Sequence, residues 1–223
     1  MGIQLDFAAL WTEWPLLAKG VAWTLGLTAV SAALGVGLGV VCAWVRTQGL
    51  AALKPVVAAY VELIRNTPFI VQLFFIFFGL PVAGVRLSAE WASVIAMVVN
   101  LGAYSAEIVR AGIEATPRGQ IEAAQSLALS RAQTFIHVVL PPALQRVWPA
   151  LVSQIIIVML GSAVCGQIST EELSYAANLI QSRNFRAFEA FIIATALYLL
   201  LSMATRAALN PLGRRWLWGG RRG

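Results

Sequence analysis

Charge is scarce in this chain. Only 12% of its 223 residues are Asp, Glu, Lys or Arg, about half the fraction usual in a soluble domain. Lysine occurs twice, as Lys19 and Lys54, and histidine once, as His137. No Gly-x-x-x-x-Gly-Lys-Ser/Thr run occurs, so the chain is not itself a P-loop ATPase. It also lacks a Gly-x-Ser-x-Gly elbow, a His-Glu-x-x-His helix and any cysteine–histidine cluster, which leaves a membrane enzyme poorly supported. His137 has no partner at ligand spacing, which argues against a metal site. The two cysteines, Cys42 and Cys165, both fall inside apolar runs. They read as reduced, small hydrophobes, with no disulfide framework. No basic residue precedes Lys19, so the expectation is an N-terminus that is not a cleaved signal peptide.

What is present is apolar. Hydrophobic residues make up 59% of the chain, and a membrane span needs about 20 mainly apolar residues. The length suggests one domain with room for about five spans. The runs lie at residues 20–45, 54–80, 89–110, 147–168 and 190–205. Residues 3–18, with Trp11 and Trp14, read as an interfacial helix or equally as the ragged start of the first span. The net charge of +6 does not point to nucleic acid, because the arginines sit at the ends of apolar runs.

Inside the runs the polar residues are patterned. Ser31, Gly35 and Gly39 recur every four residues, which lets another helix approach closely. Gly35-Val-Gly37 has no strand–turn–helix context, so it reads as packing glycine and not as a nucleotide loop. Pro68 should kink the second run. Glu62, Arg65, Phe69 and Gln72 share a helical stripe there. Glu62–Arg65 reads either as a structural i,i+3 ion pair or as part of a polar face. Asn66, Thr67 and Gln72 are candidates to line a cavity. In the third run Ser93, Met97, Asn100, Tyr104 and Glu107 fall on one stripe that must face protein or water. Glu107–Arg110 and Glu114–Arg118 can be local helix pairs. Residues 169–189 are amphiphilic and read as a short helix or loop. Arg206, Arg214, Arg215, Arg221 and Arg222, with Trp216 and Trp218, form a basic tail suited to a membrane surface.

Loop charge sets the orientation. With the C-terminus and residues 111–146 inside, the inner loops and tail hold eleven basic residues: Arg46, Lys54, Arg110, Arg118, Arg131, Arg146 and the five tail arginines. Four lie outside: Lys19, Arg86, Arg183 and Arg186. The positive-inside rule favours this arrangement, with the N-terminus outside.

The loop at 111–146 is a water-compatible island between apolar runs. Glu122, Ala123, Ala124, Leu127 and Ala128 are good helix formers. A turn at Ser130-Arg131 follows, and Pro141-Pro142 is expected to stop the next segment. Glu122-Ala123-Ala124, then Ala128, then Val138-Val139-Leu140-Pro141, resembles the "EAA" loop of ABC importer permeases. Ala128 stands where glycine is usual and Val138 where isoleucine is usual. Gly20-x-x-x-Thr24-Leu25 resembles the opening motif of the same family. Tyr60-Val-Glu-Leu-Ile-Arg-Asn-Thr-Pro68 and Ala103-Tyr-Ser-Ala-Glu107-Ile-Val-Arg110 resemble the polar-amino-acid branch, the histidine, glutamine and arginine type. Asn66 replaces a common glycine there. Leu160-Gly161 replaces that branch's frequent Lys-Asp or Lys-Asn pair, and Met159-Leu-Gly-Ser-Ala163 is similar to the variant in basic-amino-acid and opine permeases.

The resemblance implies an all-α integral membrane protein of type I ABC importer architecture in a bacterial inner membrane. It implies residues 1–19 as an interfacial segment, 20–210 as one permease domain and 211–223 as a cytoplasmic tail. It implies a coupling helix from Glu122 to Ser130. Glu122, Ala123, Ala124, Ala128, Leu140 and Pro141 would engage a separate ATPase dimer that carries ATP-Mg, with no cofactor on this chain. A second permease, identical or homologous, a solute-binding protein and a polar amino acid complete the implied set, with membrane lipid around it and no nucleic acid. Asn66, Thr67, Gln72, Asn100, Tyr104, Glu107, Met159 and Ser162 are the candidate path residues. A channel or secondary transporter, or a membrane scaffold, remains the alternative, although no convincing internal repeat is present.

Overall fold

A computed structural model describes residues 6–7, 11–49 and 51–217. Leu5 and Leu10 of the expected interfacial segment lie outside the described residues, as do Trp218, Arg221 and Arg222 of the tail and the side chain of Trp216. Among the described residues every regular element is helical, so the all-α expectation holds. Helix α1 spans Trp14–Gln48, α2 Lys54–Arg65, α3 Phe69–Phe74 and α4 Ala89–Glu114. Helix α5 spans Arg118–Ser126, α6 Arg131–Gln133 and α7 Leu140–Gly161. Helix α8 spans Leu173–Asn184 and α9 Ala187–Leu217.

Four helical stretches are long and apolar enough to cross a membrane: Trp14–Gln48, Ala89–Glu114, Arg131–Ile168 and Ala187–Arg215. The fifth expected span is broken. Ala51–Arg65 and Phe69–Ala83 meet at 111°, a far sharper turn than a proline kink. The reason is local. The α2 ladder ends at Arg65, where the Asn66 amide still bonds the Glu62 carbonyl. Pro68 supplies no donor and disfavours helix at Thr67 before it. The chain therefore starts a new helix instead of bending the old one.

Pro141-Pro142 does not stop its segment. The helical path runs without a break from Arg131 to Ile168, through a wide π-helical turn at Thr134–Val139 and a tighter 3-10 stretch at Ser162–Ile168. The Leu140 amide, the last donor before the prolines, bonds Phe135 five residues back. The ladder is already in a wider register where it meets the proline rings, which relieves the clash with the preceding turn.

The described chain divides into two compact units. One comprises residues up to 31, 69–97 and 156–205, and the other 32–68, 98–155 and from 206 on. In the first, Gly20 meets Leu173 and Ala176 of α8, and the Leu173 amide donates to Thr24 Oγ1 at 3.2 Å. The Ser93 and Thr170 hydroxyls bond at 2.8 Å. In the second, Ala43, Val109, Ile113, Phe135, Val139, Ala143 and Leu151 form a buried core. Helix α1 lies so close to α4 that a Cβ on Gly39 would stand 2.4 Å from Ser105 Cβ and 2.9 Å from the Ala106 amide nitrogen. Those are fixed atoms that no rotamer change can move. Gly39→Val should therefore destabilise by about 3 kcal/mol. Gly37→Val, where nothing lies within 4 Å, should cost little. Thermal midpoints of the two variants in detergent check the contrast.

Candidate functional site

Glu107 is the centre of an ion cluster in the second unit. Its carboxylate pairs with Arg46, with Arg110 at 2.8 Å and with Arg65 at 3.8 Å. Arg110 also reaches Glu114 at 2.5 Å. Three guanidinium groups thus share two carboxylates, and the cluster keeps one positive charge. The Glu107 side chain is only 18% exposed and Arg65 43% exposed. The Arg65 guanidinium also lies over the Tyr104 ring, 5.6 Å from its centroid, at cation–π range. The Tyr60 hydroxyl donates to the Val99 carbonyl at 2.7 Å and ties α2 to α4 beside the cluster. A half-open guanidinium on an aromatic face suits a carboxylate guest, because its fork matches both oxygens.

The loop between α4 and α7 forms the second feature. Pro117 in extended conformation opens α5, which fits a residue with no amide donor at a helix start. Ala124 is buried (3% exposed), and Ile121 packs on the core around Phe135. Glu122 and Ala123 are exposed. One face of a nine-residue helix is thus seated on its own chain, and the other is free for a partner. A cavity of about 290 Å³ remains behind it, between Thr47, Gln48, Ile121, Gln125, Leu129 and Thr134. The helix ends earlier than the Glu122–Ser130 expectation. Leu127 caps it and Ala128 adopts φ 56°, a left-handed conformation that costs a residue with a Cβ about 1 kcal/mol. Ser130 then caps α6, exchanging bonds with Gln133 in a capping box. Ala128→Gly should stabilise the chain by about 0.5–1 kcal/mol. A higher thermal midpoint with unchanged uptake checks this.

A third feature is Glu172, which is fully buried. It lies between the Arg131–Ile168 stretch and α8, outside the apolar spans. Its carboxylate caps α8 by accepting from the Ser174 amide at 2.9 Å and the Tyr175 amide at 2.7 Å. The Tyr198 hydroxyl donates to it at 2.5 Å. Burial raises its carboxyl above the usual carboxylate range, against those hydrogen bonds. The folded state therefore holds this proton more tightly than the unfolded state. Stability should fall as pH rises from the ordinary carboxylate range through the raised value. Glu172→Gln should flatten that slope. The pH dependence of the thermal midpoint, compared between the two proteins, measures it.

The sequence-selected path residues fall into two groups. In the second unit, Tyr104 and Glu107 meet through Arg65. Asn100 is buried. Asn66 and Thr67 turn back on their own helix: Asn66 Nδ2 donates to the Glu62 carbonyl at 2.8 Å, and the Thr67 hydroxyl to the Leu63 carbonyl at 2.8 Å. In the first unit, Gln72, Met159 and Ser162 are buried. The Ser162 hydroxyl donates to the Met159 carbonyl at 2.7 Å, and Thr205 Oγ1 lies 3.4 Å from Met159 Sδ. The local pairing differs from expectation at two points. Arg65 reaches Glu107 on α4, and Glu114 takes Arg110 instead of Arg118, which stands beyond the Pro117 break. Arg46 and Glu172 were missed. Arg46 read as a loop charge because its partner lies 61 residues away. Glu172 read as one member of an amphiphilic stretch, although an acidic residue just before a helix is a capping signal.

Comparison with known proteins places this architecture. Residues 35–217 match the family described as "Binding-protein-dependent transport system inner membrane component". The glutamine transport system permease protein GlnP of Escherichia coli is 35% identical over 215 residues, covering 96% of this chain and 98% of that protein. The octopine transport system permease protein OccM of Rhizobium radiobacter is 32% identical over 229 residues, covering 99% and 93%. A solved structure described as an amino acid ABC transporter with histidines superposes with a TM-score of 0.84 at 36% identity, over 96% of this chain and all of that one. With its apolar helices, its all-α order and its seated α5, this chain belongs to the family of binding-protein-dependent transport system inner membrane components.

Proposed function

We propose that this chain is the membrane-spanning permease subunit of an ATP-driven importer for polar amino acids. The observation that carries the reading is α5: Ala124 anchors it inward while Glu122 and Ala123 are left exposed, as a docking helix requires. A separate ATPase pair binds ATP-Mg, and each subunit grips one α5. Closure of that pair rocks the permease helices between inward- and outward-open states. ATP can shift that equilibrium only through its different affinity for the two states. A solute-binding protein delivers substrate from outside. A second permease, a copy or a homologue, completes the path, since five spans are few to enclose one. Residues 20–210 act as one permease domain with the N-terminus outside.

Within this reading Arg65 receives the α-carboxylate of the amino acid, and Glu107 with the Tyr104 face holds the ammonium. Asn66, Thr67, Gln72, Asn100, Met159 and Ser162 are proposed along the path. Glu122, Ala123, Ala124, Ala128, Leu140 and Pro141 form the coupling segment. The similarity to glutamine and octopine permeases supports a polar, zwitterionic cargo.

The test is to pull the tagged chain from detergent-solubilised native membranes. ATPase activity is then assayed with the matching binding protein and a panel of amino acids. Co-purifying ATPase activity that one amino acid stimulates supports the importer. A chain that purifies without ATPase yet moves solute alone in liposomes is a secondary transporter, and the proposal fails.

A further inference from the structure

We propose that the cavity between Trp148 and the last turns of α9 is a binding site for the headgroup of an anionic phospholipid. The cavity measures about 540 Å³ and is lined by Trp148, Pro149, Asn210 and Arg214. Its wall is fixed. The Trp148 indole N–H donates to the Leu209 carbonyl at 3.2 Å. Gly213 lies so near that a Cβ on it would stand 2.1 Å from Trp148 Nε1. Only glycine permits that approach, and with the hydrogen bond to Leu209 it seats the indole against α9.

Charge selects the guest. Neither α7 nor the chain from Ala190 to the C-terminus contains an aspartate or glutamate. Arg146, Arg206, Arg214 and Arg215 lie on the described parts of these two segments, and all four are exposed. Among the described residues no carboxylate forms an ion pair with any of the four. The uncompensated field favours an anion. Asn210 and Arg214 offer amide and guanidinium donors to a phosphodiester. Trp148 and Pro149 supply an apolar floor for the glycerol and the first acyl carbons.

Depth narrows the choice further. Trp148 lies at the start of the apolar run 147–168, within the Arg131–Ile168 stretch, and Arg214 at the end of Ala187–Arg215. Tryptophan prefers the headgroup level, and basic pockets between membrane helices recruit anionic headgroups there. The basic-residue count assigns this end to the cytoplasmic leaflet. A freely soluble anion would gain nothing from the apolar floor. An acidic side chain of a partner protein would have to enter at headgroup depth. An anionic phospholipid meets both demands.

The experiment is native mass spectrometry of the complete transporter purified in detergent. It is incubated with phosphatidylglycerol or, separately, with phosphatidylcholine. Wild type should retain phosphatidylglycerol in preference to phosphatidylcholine. Arg214→Gln should lower that retention by about fivefold, the value of one basic residue at an anionic surface. Arg214→Lys should keep most of it. Arg86→Gln, at an exposed position away from the cavity, should leave retention unchanged. Equal retention of the two lipids, or no loss in Arg214→Gln, overturns the proposal. So does displacement of the bound lipid by inorganic phosphate alone, which would mark a simple anion site. Loss of bound partner subunits without loss of lipid would assign the cavity to a protein contact instead.

Discussion

Glu107→Ala should lower the stability of the folded chain by about 3 kcal/mol and abolish uptake. Removing one partner of a buried ion pair typically costs about 3–5 kcal/mol, because the other charge stays behind unpaired. Here the group left behind is Arg46, with Arg65 and Arg110 beside it. The cluster would go from one excess positive charge to two. The arginines are partly exposed, so water screens some of this, and the low end of the range applies. Thermal unfolding in detergent reads the stability. Adding Arg46→Gln to Glu107→Ala should recover part of the midpoint, since it removes the stranded charge. If Glu107→Ala unfolds at the wild-type temperature, the cluster is not a structural centre and its arginines are solvated independently.

Uptake should also be lost in Ala124→Trp, but by a different route from Ala123→Trp. Ala124 is seated inside its own chain. An indole there forces α5 off the core or overpacks it, at about 3 kcal/mol. Ala123 is exposed, so its indole meets nothing within the chain. The expected pattern is a lower thermal midpoint for the isolated Ala124→Trp chain and a normal one for Ala123→Trp. Both should lose substrate-stimulated ATPase activity. Ala123→Trp should also co-purify with less ATPase subunit, because the added bulk sits on the docking face. Normal assembly and normal uptake in Ala123→Trp would remove α5 as the coupling element.

The apolar spans were legible because a run of about 20 apolar residues has few other meanings. The break near Pro68 was legible in position but not in size. Sequence shows that a donor is missing; it does not show that Asn66 and Thr67 will satisfy the end of α2 with their own side chains. Those bonds also explain why two polar residues inside an apolar run need no cavity to be satisfied. The stripe on α4 was legible, since Ser93, Met97 and Asn100 are all buried. The ion cluster was only half legible. Glu107–Arg110 is local, whereas Arg46 and Arg65 arrive from α1 and α2. In the loop, helix propensity placed Ala128 inside α5, although its left-handed conformation ends the helix. The substitution of alanine for the usual glycine hid that signal. Propensity counts residues one by one and does not see where a turn must fold back.

The π-helical turn at Thr134–Val139 has a consequence for the spacing of the loop motif. Each hydrogen-bonded ring of a π turn holds one residue more than a ring of the α-helix. The segment therefore stores a change of angular phase ahead of Leu140. Every side chain of α7 is rotated about the helix axis by the amount this turn sets. The fixed interval from Glu122-Ala123-Ala124 to Leu140-Pro141 is then a phase setting as well as a length. Deleting one residue between Thr134 and Val139 would let an ordinary α ladder form without changing where α5 sits. The same deletion in the regular part of α7 would turn Leu151 and Ile155 away from their buried positions. Length variants of this loop should be tolerated best at this address, which makes the wide turn the loop's built-in allowance for a shift in register.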